Sequence, residues 1–218
     1  MNNPFDFFDC IFCVNLDKRV DRWEESKLEF SKIGILDRIE RISGIITNRF
    51  DDQKRNASYG NHLSHAECLR RAKERDLSNC LIFEDDVKFI NKPLEILEEA
   101  VKELPKDYDI FYLGANTEKT LYRVSAHLAR LTFAYSTHAY CINKHLFERL
   151  YLMNLDPDVI HNDVEYNHFI VRNNKCYSPI PLIAVQRKSY SDIEDREMNY
   201  DWMEKRFNEN LINVDNQT

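Results

Sequence analysis

The chain alternates short apolar runs with stretches in which apolar residues recur at helical spacing, and no internal repeat is visible. Cys10 to Leu16 is short and almost continuously apolar, the mark of a buried strand. Behind it Val20, Trp23, Phe30 and Ile33 fall on one arc of a helical wheel, and Gly34 suits the residue that ends a helix. Ile39 and Ile42 predict a second strand, and Thr47 to Gly60 reads as a polar loop. Asn61 to Arg75 reads as a helix and Cys80 to Phe83 as a short apolar strand. Pro93 opens the clearest helix, with Leu94, Leu97, Val101 and Leu104 on one face and acids and lysines opposite. Asp109 to Gly114 and Thr137 to Ile142 predict two more strands, and a helix carrying Leu146 and Leu150 follows the second. Pro179 to Gln186 is a last extended run. After Asp201 the tail carries Trp202, Met203 and Phe207, which predicts a helix and then a frayed polar end.

Strands alternating with helices imply an α/β domain with a Rossmann-like, mostly parallel sheet flanked by helices. Residues 1–200 are expected to form one domain and 201–218 a tail. Ligands in such sheets sit beyond the carboxyl ends of the strands, so chemistry is sought there.

Composition narrows the classes. The 218 residues are 43% hydrophobic and 12% aromatic, enough for a packed core and unlike a disordered or fibrous chain. Thirty basic side chains against 37 acidic ones leave a net charge of -7, which argues against nucleic acid as a partner. The first apolar run, Phe5 to Leu16, is broken by Asp6 and Asp9 and has neither the length of a membrane span nor the flanks of a signal peptide. A cytosolic address, or one at the periphery of a membrane, is the expectation. Six cysteines then read as reduced thiols. Cys10 and Cys13 form a CxxC inside a β-rich run with no second pair, which favours buried strand cysteines over zinc or redox chemistry.

Leu81-Ile82-Phe83-Glu84-Asp85-Asp86 drives a buried strand into three consecutive acids. Strand alternation would turn Glu84 and Asp86 one way and Asp85 the other. Two carboxylates about 5 Å apart repel by roughly 3 kcal/mol at an effective dielectric near 20, so a cation between them is a natural remedy. Hard oxygen donors suit Mg²⁺ or Mn²⁺ completed by water and substrate phosphates. The plain alternative is a solvated acidic turn.

Several segments together resemble glycosyltransferase family 25, which includes lipooligosaccharide galactosyltransferases and collagen-modifying relatives. They are Val14-Asn15-Leu16-Asp17-Lys18-Arg19-Val20-Asp21-Arg22-Trp23, Gly60-Asn61-His62-Leu63-Ser64-His65 as a G-x-x-L-S-H segment, and Leu81 to Val87. Asp109 to Gly114, Ala139-Tyr140-Cys141-Ile142, Asp163, Pro181 to Gln186 and Ser191-Asp192-Ile193 continue the series in the family's order. The stretch between Gly114 and Leu131 fits no pattern and is a candidate for shaping acceptor choice.

The resemblance implies a GT-A-type fold and an inverting, metal-dependent hexosyltransferase. It further implies a UDP-sugar donor, galactose or glucose first, and a glycan or glycosylated protein as acceptor. It makes Asp86 the foremost ligand for Mn²⁺ or Mg²⁺, with Glu84 beside it, and Glu84 and Asp85 also donor contacts. Asp163 becomes the candidate base, with Glu165 and Asp192 in reserve. Asp163 reads equally as the N-cap of a helix carrying Val164, His168 and Val171. Asn15, Leu16, Arg19, Arg22, Ser64, His65, Gln186 and Asp192 are the remaining donor-binding candidates. Arg19 and Arg22 read alternatively as a solvated helix face pairing with Glu25 or Glu29. His62 and His65 share a helix face but lack a third ligand, which favours hydrogen-bonded roles. Two competitors stand beside this reading. A phosphoryl- or nucleotidyl-transferase would need a glycine-rich phosphate loop, hard to build from four glycines. A catalytically silent relative would bind a nucleotide sugar or glycan without turnover.

Overall fold

The computed structural model describes residues 3–158, 161–171, 175–191 and 196–213. Its first half follows the predicted alternation: β1 (Ile11–Asn15), α1 (Val20–Lys32), β2 (Ile39–Ser43), α2 (Gln53–Glu74), β3 (Asn79–Glu84), β4 (Val87–Phe89) and α3 (Pro93–Glu103). The chain continues with β5 (Ile110–Tyr112), β6 (Leu121–Arg123), β7 (Leu128–Arg130), β8 (Ala139–Asn143), α4 (Phe147–Leu155) and α5 (Asn162–Phe169). It closes with β9 (Cys176–Pro179), β10 (Ala184–Gln186), β11 (Ser189–Ser191), β12 (Arg196–Met198), α6 (Met203–Asn210) and β13 (Leu211–Asn213).

One sheet runs in the order β13-β6-β7-β9-β5-β8-β3-β1-β2. Seven of these nine strands share a direction, and β7 and β8 run against them. Two small antiparallel ribbons, β4–β10 and β11–β12, stand apart from it.

Period-two alternation sends each central strand into two cores. Ile11, Cys13, Leu81 and Phe83 face Phe30 of α1 and Leu97 and Ala100 of α3. Phe12, Val14, Cys80 and Ile82 face Leu69 and Ala72 of α2, Leu150 of α4 and Tyr166 of α5. Each such side chain contributes about 1.5–3 kcal/mol by leaving water. Cys10 packs on the second face and Cys13 lies in the first, so the CxxC pair straddles the sheet and cannot grip one ion. All six cysteines are free thiols. Gly34 ends α1 at φ +69°, as its position predicts.

Four segments differ from the sequence reading. Helix α2 begins eight residues earlier than expected, capped by Asp52, whose carboxylate accepts from Lys54 N at 2.8 Å and Arg55 N at 3.1 Å. Its first turn and a half is polar and presents no apolar stripe, so the helical period becomes readable only from Tyr59. The stretch after Gly114 holds a hairpin, β6–β7, whose Leu121, Leu128 and Ala129 are buried. The run expected over Pro179 to Gln186 spans the last residue of β9, a stretch outside any strand, and then β10, which pairs in a different sheet. In the tail, Met203 and Phe207 of α6 are wholly buried, and β13 pairs in parallel with β6. Residues 214–218 lie outside the described residues. Among the described residues, no helix is long and apolar enough to cross a membrane.

Candidate active site

The carboxyl ends of β1 and β3 open on a cleft of about 770 Å³. The pleat of β3 ends at Glu84, and Asp85 and Asp86 form the turn into β4. The predicted alternation therefore stops there, and Asp85 and Asp86, not Glu84 and Asp86, act as a pair. One arginine joins them: Arg22 Nη1 lies 3.0 Å from Asp85 Oδ1, and Nη2 lies 2.6 Å from Asp86 Oδ2. Arg22 thus serves the acidic turn and not Glu25 or Glu29. Burial disfavours its charge, yet Asp86 and Asp85 together hold the guanidinium above its ordinary pKa.

Asn15, at the end of β1, orients the turn. Its Oδ1 accepts from Arg41 Nε at 2.9 Å and Nη2 at 2.6 Å, which leaves Nδ2 to donate to Asp85 Oδ2 at 2.6 Å. The turn's backbone is held as firmly: Ser26 Oγ donates to Asp85 O at 2.7 Å, and Arg187 N to Asp86 O at 2.7 Å. Burial pushes the Asp85 carboxyl up to about 6, with Asp86 adding to the rise and Arg22 and Asn15 opposing it. Asp86 Oδ2 also meets Gln186 Nε2 at 3.4 Å, while Asp86 Oδ1 is buried with no hydrogen-bond partner among the described residues.

Glu84 turns elsewhere. Its Oε1 accepts from Thr137 Oγ1 at 2.7 Å and stands 3.3 Å from His65 Nε2, at ion-pair distance but off the line of a hydrogen bond. Burial would raise this carboxyl; His65 and Thr137 bring it below the usual range instead. His65 is fixed from behind, its Nδ1 2.7 Å from the Tyr140 hydroxyl and its ring stacked on Tyr140.

Asp163 forms another part of the cleft lining. It sits in the first turn of α5, whose N-cap position is His161, two residues earlier than expected. Asp163 Oδ1 accepts from Val164 N at 2.8 Å and Oδ2 from Ser136 N at 3.0 Å. Burial lifts its carboxyl above the ordinary range, and those two N–H groups hold the rise back. Ser136 adopts φ +76°, a conformation costing a non-glycine residue on the order of 1–3 kcal/mol. The dipeptide Ser136-Thr137 thereby serves two acids at once, Asp163 through a backbone N–H and Glu84 through a hydroxyl. His62 supports α5: its Nε2 accepts from Asn162 N at 2.9 Å, and burial, with His65 and His161 nearby, pulls its pKa down to about 3. With that lone pair taken by the Asn162 N–H, Nε2 of His62 plays the hydrogen-bonded role expected of it.

The loop after β2 forms a further wall. Ser64 Oγ accepts from Ile45 N at 2.8 Å and donates to Gly60 O at 2.7 Å. A Cβ on Gly60 would lie 2.2 Å from Ile45 O, so the helix can meet this loop only where it has no side chain.

Comparison with known proteins bears on the family and the fold. Residues 8–160 match the family model described as "Glycosyltransferase family 25 (LPS biosynthesis protein)". The chain belongs to glycosyltransferase family 25. No curated protein sequence matches it. Among solved structures, it resembles a glycosyltransferase involved in the glycosylation of the major capsid of PBCV-1, at 8% identity and TM-score 0.53. That match covers 85% of this chain and 96% of the other. A197 from STIV is also similar, at 14% identity and TM-score 0.47, over 87% of this chain and 92% of that one. The likeness to the PBCV-1 enzyme is one of fold, and the chain has the GT-A-type α/β architecture.

In this family 25 glycosyltransferase, Asn15, Leu16, Arg22, Ser64, Glu84, Asp85, Asp86, Asp163 and Gln186 all line the one cleft. His65 lies behind Glu84 and acts through it. Arg19 turns away, its Nε 3.1 Å from Asp21 Oδ1 and its Nη2 3.0 Å from Asp21 Oδ2. Its Nη1 also lies 3.5 Å from Tyr190 O, and Arg19 is not among the residues lining the cleft. Asp192 lies outside the described residues. Glu165 is on α5, its backbone N bonded to His161 O at 3.2 Å. The stretch between Gly114 and Leu131 contributes no lining residue to this cleft. Arg41, Ser136 and Thr137 escaped the sequence reading: Arg41 lies in a strand with no motif, and Ser136 works through its backbone.

Among the described residues, no group of three or more His, Cys, Asp or Glu side chains is set to hold a metal ion. Mg²⁺ and Mn²⁺ ask less of the protein, being bound through one or two carboxylates plus substrate oxygens. The unpartnered Asp86 Oδ1, beside the paired Asp85, offers such a partial set.

Proposed function

We propose that the chain is a metal-dependent, inverting hexosyltransferase moving galactose or glucose from a UDP-sugar to a hydroxyl of a glycan or glycosylated protein. One observation carries the reading: an acidic strand-end turn with an unpartnered carboxylate oxygen opens on the same cleft as a separate, desolvated Asp163. Asp86 would hold Mn²⁺ or Mg²⁺ through Oδ1 with Asp85 beside it, Glu84 being engaged instead with Thr137 and His65. When bound, such an ion stabilises the charge on the departing diphosphate. Asn15, Arg22 and Gln186 are arranged to bind and orient the donor. Asp163 takes the proton of the acceptor hydroxyl. Its raised carboxyl pKa brings the base nearer neutrality, and the N–H groups of Ser136 and Val164 fix its direction. The silent alternative draws on one feature: Arg22 already balances Asp85 and Asp86 without any ion.

The test is a screen of UDP-sugars for hydrolysis and transfer with and without Mn²⁺, repeated on Asp86→Ala and Asp163→Asn. Asp86→Ala is expected to lose metal-dependent donor binding. Asp163→Asn should keep donor binding and lose about 10²–10⁴-fold in transfer rate. Normal transfer by Asp163→Asn would remove it as the base, and donor binding without turnover across the screen would favour the silent reading.

A further inference from the structure

The position of Arg22 bears on how the site loads. Its side chain is 12% exposed, it contacts both acids of the turn, and its Nε is buried without a partner. Among the described residues, Ser189 Oγ, 3.5 Å from Nη2, is the other neighbour the guanidinium reaches. The carboxylates on its own helix are engaged elsewhere: Glu24 with Lys27 at 2.8 Å, Glu25 with Arg187 at 3.2 Å, and Glu29 with Lys32 and the Phe89 N–H. Asp21 is held by Arg19. Among the described residues, a guanidinium pushed off Asp86 keeps Asp85 and finds no further acid to replace the lost partner. A divalent ion arriving alone at Asp86 Oδ1 would sit close to this buried positive charge and compete with it for Asp86. An incoming diphosphate changes both terms, because its oxygens bind the ion and accept a guanidinium in bidentate fashion.

We propose that Arg22 is a tethered counter-cation that makes a divalent ion and a nucleoside diphosphate bind the acidic turn together, each strengthening the other. The inference rests on the metal-dependent reading above and adds an order to it: the metal-only state is disfavoured, and the pair is favoured. Coupling of this kind is reciprocal, so UDP should tighten Mn²⁺ by the same factor as Mn²⁺ tightens UDP.

The experiment measures free Mn²⁺ by electron paramagnetic resonance over the full chain, with and without UDP, for wild type, Arg22→Met and Arg22→Lys. In wild type UDP should tighten Mn²⁺ on the order of 5–150-fold, the usual range for coupled sites. Arg22→Met should bind Mn²⁺ alone more tightly than wild type and show a smaller gain from UDP. Melting temperature should agree, with Mn²⁺ alone raising that of Arg22→Met more than that of wild type. Arg22→Lys, a point charge able to satisfy one acid at a time, should fall between them and decides the matter if Arg22→Met does not fold. Equal Mn²⁺ affinity in wild type and variant, or an undiminished gain from UDP, would overturn the proposal. If UDP leaves Mn²⁺ binding unchanged in wild type, the metal-dependent reading falls with it; if only the variants disagree, that reading stands.

Discussion

Gly60→Ala sets two physical effects against each other. Alanine in a helix interior is favoured over glycine by about 1 kcal/mol, so propensity alone predicts a more stable protein. The contact with the loop after β2 predicts the reverse. The new Cβ would lie 2.2 Å from Ile45 O, a backbone atom that cannot rotate aside, and relief to 3.4 Å needs a retreat of about 1.2 Å. The same retreat would stretch the 2.8 Å bond from Ile45 N to Ser64 Oγ to about 4 Å, beyond hydrogen bonding. Overpacking costs about 1–3 kcal/mol and the lost bond about 1 kcal/mol. After the propensity gain, a net loss of about 1–3 kcal/mol remains. For a chain of this size each kcal/mol lowers Tm by about 2–4 °C. Urea denaturation and calorimetry measure the loss, and nucleotide titration should show weaker donor binding because the displaced loop is a cleft wall. A Gly60→Ala protein as stable as wild type, or more so, would refute the close approach of helix and loop.

Two further expectations follow from the same geometry. His62 is held neutral with a pKa near 3, against about 6.5 in the unfolded chain. Its stabilisation is complete above pH 6.5 and is lost as pH falls toward 3, because only the unfolded state takes the proton. Between pH 6.5 and 5 the loss is about 2 kcal/mol. His62→Gln keeps an acceptor for the Asn162 N–H, and its urea stability should fall less over that interval; an identical pH profile would contradict the assignment. Phe207→Ala should cost about 3–5 kcal/mol, since the ring is wholly buried. A loss under 1 kcal/mol on chemical denaturation would mean that α6 is not part of the core.

What the sequence disclosed about the fold depended on the length of each signal. Strands β1 and β3 are apolar on both faces and α3 carries a full apolar stripe, so each could be read without its neighbours, whereas α1 buries Phe30 beside Ser26 and Glu29 and leaves Val20 exposed. Strands β4, β6, β7 and β13 are three residues long, too short for a period, and exist because another strand pairs with them. The candidate site divides in the same way. Carboxylates at a strand end and an aspartate at a helix start announce themselves by residue type. Ser136, which orients Asp163 through its N–H, and Arg41, which orients Asn15 across a strand pair, depend on tertiary placement. The pairing of Asp85 with Asp86 was hidden because alternation was carried two residues past the end of β3.

The sheet order has a practical consequence for anyone cutting the chain at the limits of its recognised family segment. Strand β9, beyond residue 160, is the seam between β5 and β7. A fragment ending at 160 would leave the β6–β7 hairpin detached from the main ladder and bare the edges of β5, β7 and, with β13 gone, β6, an invitation to intermolecular β-pairing. It would also lack β10, and with it the Gln186 that reaches Asp86. Such a fragment should precipitate while the longer chain stays in solution, and an expression trial comparing the two would show it.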